Sequence, residues 1–285
     1  MSGKNIFPIP LILIFLPPIF LPFHMPISCP ITFPRLSTEE FGALDYEIMK
    51  LAFACHGDLG RLGDEGIYQA DFAARLSAAG YEVHREVPIT VSFRSFVKTY
   101  YMDVVVNGEA VYELKTVTRL TPEHEAQVLN YLLMVNCAHG KLINFRPASV
   151  DSRFINAPMT VEQRRAFTVN DRRWLGDPAS RDLLVELLRD WGTCLELPLY
   201  YQAFIHLLGG EAIVTHQLPM QRAGISLGNQ RFHLLEPSAA FRFTAFGELT
   251  VGYEKQLQNL LRLSPLKAMH WINIGHEEVT FTTLV

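Results

Sequence analysis

Three short motifs within residues 103–131 combine the residue types that metal-dependent hydrolysis requires. Asp103 is followed ten residues later by the tripeptide Glu113-Leu114-Lys115, and then by Gln127-x-x-x-Tyr131. Two carboxylates can hold a hard divalent cation such as Mg²⁺, which prefers oxygen ligands. A lysine beside them can orient and help to deprotonate a water molecule for attack on phosphorus. The pattern therefore indicates a metal-dependent nuclease core.

The local sequence predicts that these residues lie on two neighbouring strands. Glu113 and Lys115 are two positions apart in the β-rich run 110–117, so their side chains share one face of a strand. Asp103 lies in a second strand-like run over residues 100–106. Asn107-Gly108 separates the two runs and is a typical turn signal. We therefore predict a β-hairpin that brings the two acids together.

The hairpin can form a shared site only in one register. A two-residue turn would pair Val106 with Glu109, and would turn Asp103 and Glu113 to opposite faces of the sheet. A common site requires a three-residue loop, with Val106 opposite Ala110, or a β-bulge. The hypothesis therefore requires that the structure show one of these two hairpin geometries.

Composition sets limits on the class of protein. The 285 residues are 49% hydrophobic and 19% charged, enough for one large domain or two small ones. The net charge of −4 excludes a globally basic surface, so nucleic-acid binding would need a local basic patch. The four cysteines form no C-x-x-C pair, which disfavours a zinc site or disulfide framework and fits the cytoplasm. The basic residues near the motifs are Arg85, Arg94, Lys98, Arg119, Lys141 and Arg146.

Residues 1–36 differ from the rest of the chain. Residues 1–34 contain eight of the seventeen prolines in a mostly apolar run, and the longest purely apolar stretch without proline is 11–16. This is far shorter than the ~20 residues of a membrane helix. We expect a disordered tail or a wrongly assigned start, with a membrane or export signal as the alternative. Folding is expected to begin near Leu36.

The periodicity of the following residues predicts an α/β core. Ser37 and Thr121 are typical helix N-caps, and Pro122 suits a first helical turn. The predicted helix that follows Thr121 places His124, Gln127 and Tyr131 on one face. The predicted elements are a helix from Ser37, a helix over 64–79, strands over 81–93, 100–106 and 110–117, a helix over 122–135 and a strand over 141–145.

The second half of the chain repeats this pattern in degenerate form. Without a gap, residues 124–132 align with 253–261, and 142–144 with 271–273. In the same register Glu113 and Lys115 fall on Arg242 and Thr244, so the fold signals persist and the chemical ones do not. We predict a nuclease-like domain over 37–150, a linker over 151–176 and a degenerate copy over 177–285; chance similarity is the alternative.

The first half resembles the GxxExxY proteins of the PD-(D/E)XK nuclease superfamily, relatives of RecB and lambda exonuclease type domains. Position 62 is leucine where that family's leading glycine is expected, between Gly60 and Gly63. The resemblance implies an αβββαβ restriction-endonuclease-like fold and nuclease activity. It rests on Glu65-Gly66-Ile67-Tyr68, Asp103, Glu113-Leu114-Lys115, His124-Glu125-Ala126-Gln127 with Asn130-Tyr131, and Leu142-Ile143-Asn144-Phe145.

The motifs assign a role to each candidate residue. Asp103 and Glu113 are predicted metal ligands, against the alternative of ion pairs with nearby lysines. Lys115 is the predicted catalytic lysine, and Glu65 resembles the helix acid that can complete the family's metal site. Gln127 and Tyr131 are expected at the active site, where they would position groups or contact DNA. Candidate nucleic-acid contacts are His124, Arg85, Lys98 and Arg119.

These assignments predict a Mg²⁺-dependent nuclease that hydrolyses DNA, with Mn²⁺ as a possible substitute metal. The alternative is a non-catalytic module that retains the fold and binds nucleic acid or protein. The expected partner is DNA. No small-molecule cofactor and no membrane association are expected.

Overall fold

The computed structural model describes residues 25–247 and 251–285, without the side chain of Val251. The chain has a mixed α/β fold built on two six-stranded sheets. In chain order the first half contains β1 (Ile27–Ser28), α1 (Thr38–Leu59), α2 (Glu65–Ala78), β2 (Val83–Phe93), β3 (Phe96–Val106), β4 (Ala110–Lys115), α3 (Pro122–Met134), β5 (His139–Asn144) and β6 (Asp151–Asn156). The second half contains α4 (Val161–Arg165), β7 (Thr168–Arg173), α5 (Pro178–Trp191), α6 (Leu197–Leu207), α7 (Glu211–Val214), β8 (Thr215–Arg222), β9 (Ile225–Glu236), β10 (Ala239–Thr244), α8 (Val251–Leu263), β11 (Ala268–Ile274) and β12 (Glu278–Leu284).

The two sheets share a strand order over five of their strands. The first sheet runs β1-β2-β3-β4-β5-β6 and the second β7-β12-β11-β10-β9-β8. From β2 to β6 the neighbours are antiparallel except for the parallel pair β4 and β5. From β8 to β12 the directions are the same, with β10 and β11 parallel. Each parallel pair is joined by one helix, as a parallel connection requires.

Helices α1 and α2 cover one face of the first sheet. Ser37 caps α1 through a reciprocal capping box with Glu40. On α2, Tyr68, Phe72 and Leu76 lie on one face and are fully buried. The Tyr68 hydroxyl donates to the Gly60 carbonyl at 2.9 Å and accepts from the Gly63 amide at 3.1 Å. This tyrosine therefore fixes the loop that leads into α2.

The packed chain begins before the predicted boundary at residue 36. Ile27 in β1 pairs with Val91 in β2, and Phe33 is buried in the core. The prediction was wrong here because the apolar residues of the proline-rich segment cover the edge of β2. Residues 1–24 of the predicted tail lie outside the described residues. Within the described residues, no helix is both long and apolar enough to cross a membrane.

The predicted linker over 151–176 is also corrected. Its first residues form β6, which pairs with β5 along its whole length, and β7 pairs with β12 in the second sheet. The segment therefore belongs to both sheets, because each takes one strand from it.

Buried Arg164 in α4 holds the two halves together. Its Nη2 donates to the Leu133 carbonyl at 2.8 Å, and its Nη1 donates to the carbonyls of Trp191 at 2.9 Å and Thr193 at 3.1 Å. The indole N–H of Trp191 in turn donates to the Ser92 carbonyl at 3.0 Å. One hydrophobic cluster runs through both halves around these bonds. The halves therefore share a core.

Arg164→Ala should destabilise the whole chain by about 3 kcal/mol or more, because three buried carbonyls would lose a charged donor. Urea unfolding followed by circular dichroism and by tryptophan fluorescence should still give one coincident transition, shifted to lower urea. Arg172→Ala is the matched control, since Arg172 is exposed on β7. Two separate transitions, or an unchanged midpoint, would contradict a shared core.

Candidate active site on the first sheet

The hairpin between β3 and β4 has the register that a shared site requires. Val106 pairs with Ala110, so the loop contains three residues. Asn107 and Gly108 both have positive φ, 54° and 65°, which asparagine and glycine tolerate best. Continuing the register sets Asp103 opposite Glu113.

Asp103 bridges the two strands where their regular pairing ends. Its Oδ2 accepts a hydrogen bond from the Leu114 amide at 2.7 Å. A backbone N–H that would otherwise need a strand partner is thus satisfied by a carboxylate. This bond holds the Asp103 side chain beside β4.

Glu113 presents one partnered and one unpartnered oxygen. The residue is only 1% exposed, and its Oε1 accepts from Lys115 Nζ at 2.7 Å. Its Oε2 is buried and has no hydrogen-bond partner among the described residues. An unsatisfied buried carboxylate oxygen is costly and calls for a ligand.

Burial and nearby negative charges raise the pKa of both carboxyl groups, with Glu65 and Glu86 acting on Asp103 and Asp103 acting on Glu113. Burial is the main cause that raises the pKa of Asp103 to about 6, although the Leu114 amide and Lys115 act in the opposite direction. The pKa of Glu113 rises to about 7, first through burial and then through the charge of Asp103. Two carboxylates that resist simultaneous ionisation are the usual electrostatics of a cation site.

Lys115 remains a cation in this setting. Burial lowers its pKa, but the charges of Glu113, Asp103 and Glu65 outweigh burial and raise it. The ammonium group is therefore a fixed positive charge beside the carboxylates.

Glu65 lies at the start of α2, from which its charge acts on both Asp103 and Lys115. Among the described residues, no three Asp, Glu, His or Cys side chains form a group that could hold a metal ion. The structure therefore brings together Asp103 and Glu113, and leaves Glu65 as a more distant charge.

Gln127 and Tyr131 lie on the same side of the sheet as the carboxylates. Gln127 Nε2 donates to the Tyr131 hydroxyl at 2.8 Å. The pKa of Tyr131 is raised to about 12, mainly by burial and also by the charges of Glu113 and Asp103, while the Gln127 hydrogen bond acts in the opposite direction. Tyr131 is therefore a protonated hydroxyl that faces the electrostatic field of the two acids.

Sequence reasoning missed a buried glutamine that supports Asp103. Gln69 Nε2 donates to the Asp103 carbonyl at 3.1 Å and to Glu86 Oε1 at 2.6 Å, and its Oε1 accepts from Arg85 Nη2 at 3.0 Å. The spacing of Gln69 one helical turn after Glu65 was a usable signal. Glu86 carries a φ of 51°, which no sequence pattern indicated.

The predicted nucleic-acid contacts have different surroundings. His124 Nδ1 accepts from the Thr121 amide at 3.1 Å, so this histidine caps α3. Lys98 Nζ is 3.6 Å from Glu196 Oε1. Arg85 and Arg119 are exposed, and Arg119 has no ion pair among the described residues. Arg85 and Arg119 are thus the candidates whose side chains face solvent without an acidic partner.

Three further basic candidates serve the fold. Lys141 is buried in an ion pair with Asp45 at 2.7 Å, and its selection as a surface cation was wrong because β5 points it under α1. Arg94 pairs with Glu186 of the second half at 2.6 Å. Arg146 donates to the carbonyls of Arg61 and Gly63 in the loop before α2 and to the carbonyl of Thr116 after β4.

The second half reaches toward the site through Glu196, which sequence reasoning also missed. Its carboxylate accepts a hydrogen bond from the Tyr100 hydroxyl, and its backbone amide donates to Asn130 Oδ1 at 3.1 Å. The Tyr100 and Tyr131 rings pack edge to face at 5.9 Å. The residue before α6 therefore contacts the wall of the candidate site.

The residues fit a divalent cation. Asp103 and Glu113 face one another across the hairpin, and the unpartnered Oε2 of Glu113 is an oxygen donor of the type that Mg²⁺ and Mn²⁺ prefer. A bound cation would also offset the repulsion that raises both pKa values.

Asp103→Asn should stabilise the metal-free protein at alkaline pH. The folded pKa is raised, so ionisation of Asp103 penalises folding. The penalty is absent below about pH 4, grows through about pH 6 and is complete above pH 7. Thermal melts in EDTA at pH 8 should show a gain on the order of 1–3 kcal/mol, and little gain at pH 4.5. Exposed Glu47→Gln should show no such pH dependence. An equal effect of Asp103→Asn at both pH values would contradict this electrostatic account.

A family model matches part of the chain. The model of the PD-(D/E)XK nuclease superfamily matches residues 43–156, which include the whole candidate site. No curated protein and no solved structure shows significant similarity to the chain.

Proposed function

We propose, from the premise that residues 43–156 belong to the PD-(D/E)XK nuclease superfamily, that this chain hydrolyses phosphodiester bonds of DNA with Mg²⁺ held between Asp103 and Glu113. The observation that carries the proposal is the buried, unpartnered Oε2 of Glu113, opposite Asp103 and next to Lys115. Mn²⁺ shares the oxygen preference and should substitute. DNA is proposed because the motifs resemble RecB and lambda exonuclease type domains.

Each side chain of the candidate site would have a separate role in the proposed reaction. Asp103 and Glu113 would hold the cation, while the Leu114 amide fixes the orientation of Asp103. Gln69 donates a hydrogen bond to the backbone carbonyl of Asp103 and so fixes its main chain. When bound, the divalent cation supplies activation of water and neutralisation of charge on the phosphate.

Lys115 would orient the attacking water and stabilise negative charge on the phosphate. Its raised pKa means that it stays protonated at neutral pH, so it donates hydrogen bonds and does not accept the proton of the water. Tyr131, a protonated hydroxyl held by Gln127, would donate to the substrate from the helix side. Glu65 would add charge at the mouth of the site, without a place among the closest ligands.

The second half, over residues 177–285, is proposed to be a degenerate copy of the same fold. The shared strand order and directions support this, and so does a repeated tyrosine contact. The Tyr200 hydroxyl donates to the Gly192 carbonyl at 2.6 Å and accepts from the Leu195 amide at 3.1 Å. Each of these residues lies 132 positions after its counterpart around Tyr68.

A repeated asparagine contact supports the same proposal on the other side of the sheet. Asn144 Oδ1 accepts from the Val117 amide at 3.1 Å and its Nδ2 donates to the Val117 carbonyl at 2.7 Å. Asn273 makes the same two bonds with Phe246, at 2.8 and 3.0 Å. Both partners lie 129 positions after their counterparts, so chance similarity would have to reproduce two separate hydrogen-bond motifs.

Cleavage assays on the full chain test the proposed activity. Linear and supercoiled DNA should be cut with Mg²⁺ or Mn²⁺ and spared in EDTA. Glu113→Gln and Asp103→Asn should each lower the rate by about 1000-fold or more, because ligation is lost while side-chain volume is kept. Exposed Glu47→Gln should keep the full rate, and circular dichroism should show that all variants are folded. Undiminished cutting by either carboxamide variant would exclude the proposed site. Metal-independent binding of DNA by a wild-type chain that never cuts it would instead favour the non-catalytic module.

A further inference from the structure

The second half carries an arginine where the first half carries its buried glutamate. In β10, Ala240 pairs with Leu234 of β9 and with Met269 of β11. In β4, Val111 makes the corresponding pairs, and every residue differs from its counterpart by 129 positions. The register therefore sets Arg242 at the position of Glu113.

A tyrosine hydroxyl has taken the place of the Asp103 carboxylate. The Phe243 amide is the counterpart of the Leu114 amide, and it donates to the Tyr201 hydroxyl at 2.7 Å. The register position of Asp103 itself holds buried Phe232. Since a neutral phenol satisfies the same backbone N–H, the second half can keep the local fold without a metal-binding acid.

The charge at the site is consequently reversed. Glu65, Asp103, Glu113 and Lys115 sum to a formal charge of −2. Their counterparts Leu197, Phe232, Arg242 and Thr244 sum to +1. A set of side chains that attracts cations in the first half has become one that attracts anions in the second.

No acidic side chain among the described residues neutralises Arg242. The residue is exposed and forms no ion pair within that part of the chain. Burial of part of the side chain lowers its pKa, but the hydroxyls of Tyr253 and Tyr201 outweigh this and raise it. The guanidinium group is thus a constant positive charge flanked by two hydroxyls, groups that suit a phosphate oxygen.

Tyr201 also lines a groove of about 590 Å³ on the α6 side of the second sheet. Phe96 of the first half lines it too, as do His233 and the ion pair between Arg231 and Glu211. Arg242 does not line this groove, because Phe241 and Phe243 pack against α6 and the residue between them faces the side of Tyr253. The aromatic rings of the groove can stack the bases of a single strand, which a free phosphate ion lacks, so a nucleic-acid strand is the ligand to test at Arg242.

We propose that the altered site of the second half binds a backbone phosphate of the nucleic-acid substrate, with Arg242 as the anion ligand and Tyr201 and Tyr253 beside it. This inference rests on the proposed nuclease function, because it takes the substrate of the first half as its ligand. The two sites differ in charge and would therefore have different roles. The acidic site of the first half repels a polyanion until a cation binds, whereas Arg242 attracts the same polyanion without any metal.

Binding in EDTA tests Arg242 separately from catalysis. The full chain is titrated into labelled single-stranded and double-stranded oligonucleotides, and fluorescence anisotropy is recorded at several salt concentrations. Arg242→Gln should weaken single-strand binding about five- to tenfold and reduce the slope of log affinity against log salt by about 1. Arg242→Lys should restore the slope, because it restores the charge. Arg172→Gln, which removes an exposed arginine elsewhere in the second half, should leave both quantities close to wild type.

Three outcomes would overturn the proposal. An Arg242→Gln protein that binds both oligonucleotides like wild type would remove Arg242 from the interface, whatever the cleavage assays show. Equal losses in Arg242→Gln and Arg172→Gln would reduce the effect to net charge. Thermal melts with inorganic phosphate distinguish the free ion from nucleic acid. If Arg242→Gln removes the stabilisation by phosphate but leaves oligonucleotide binding unchanged, the site binds the free ion and not nucleic acid. If Arg242→Gln behaves as expected while wild-type protein fails to cut DNA, the site stands and the nuclease activity falls.

Discussion

The approach of two like charges across the β3–β4 hairpin is the constraint on which the first half depends. Asp103 and Glu113 are held opposite one another by strand register, with Glu113 buried and Asp103 half-buried. Such a pair resists ionisation and weakens the metal-free fold. The Leu114 amide and the Lys115 ammonium offset part of this cost, since each donates to one of the two acids. The remaining oxygen of Glu113, which has no hydrogen-bond partner among the described residues, adds a further cost to the metal-free fold. The proposed cation would offset this cost, which is of the kind that functional sites impose on stability.

Much of this arrangement could be predicted from local sequence. Caps and periodicity indicated the helices, so α2 and α3 begin within one residue of their predicted starts. The position of the site depended on one unknown, the length of the loop after Val106. From the sequence, a shared site required the pairing of Val106 with Ala110. The sequence did not determine whether this pairing forms, because Asn-Gly also suits a two-residue turn.

The missed features arise from contacts between residues far apart in the chain. Gln69 reaches the site from the buried face of α2 and Glu196 from the other half, and no short motif indicates either contact. Lys141 resembles a surface cation in sequence, yet its strand places it under α1 against Asp45. The early start of the fold at β1 was hidden because proline-rich sequence gives weak strand signals. Local chemistry was therefore more predictable than the supports around it.

The second half contributes to the wall of the candidate site and carries different side chains at the corresponding positions. It shares a continuous core with the first half through Arg164 and Trp191, and it places Glu196 against Tyr100. The second half repeats the structural tyrosine and asparagine contacts of the first. If it is a copy of the first half, as proposed, Arg242 and Thr244 stand at the positions of Glu113 and Lys115. Selection for packing alone could retain such a half, whereas the proposed anion site would also account for an exposed arginine that has no acidic partner among the described residues.

The most direct test of the central claim is a titration of the full-length protein with Mn²⁺, followed by the paramagnetic resonance signal of the free ion. We expect one Mn²⁺ bound per chain, with an affinity that rises between about pH 6 and pH 7.5 as the two raised carboxyl pKa values are passed. Asp103→Asn and Glu113→Gln should each remove this binding, whereas Glu47→Gln should retain it. The same Mn²⁺ binding in wild type and in both carboxamide variants would contradict a cation site between Asp103 and Glu113.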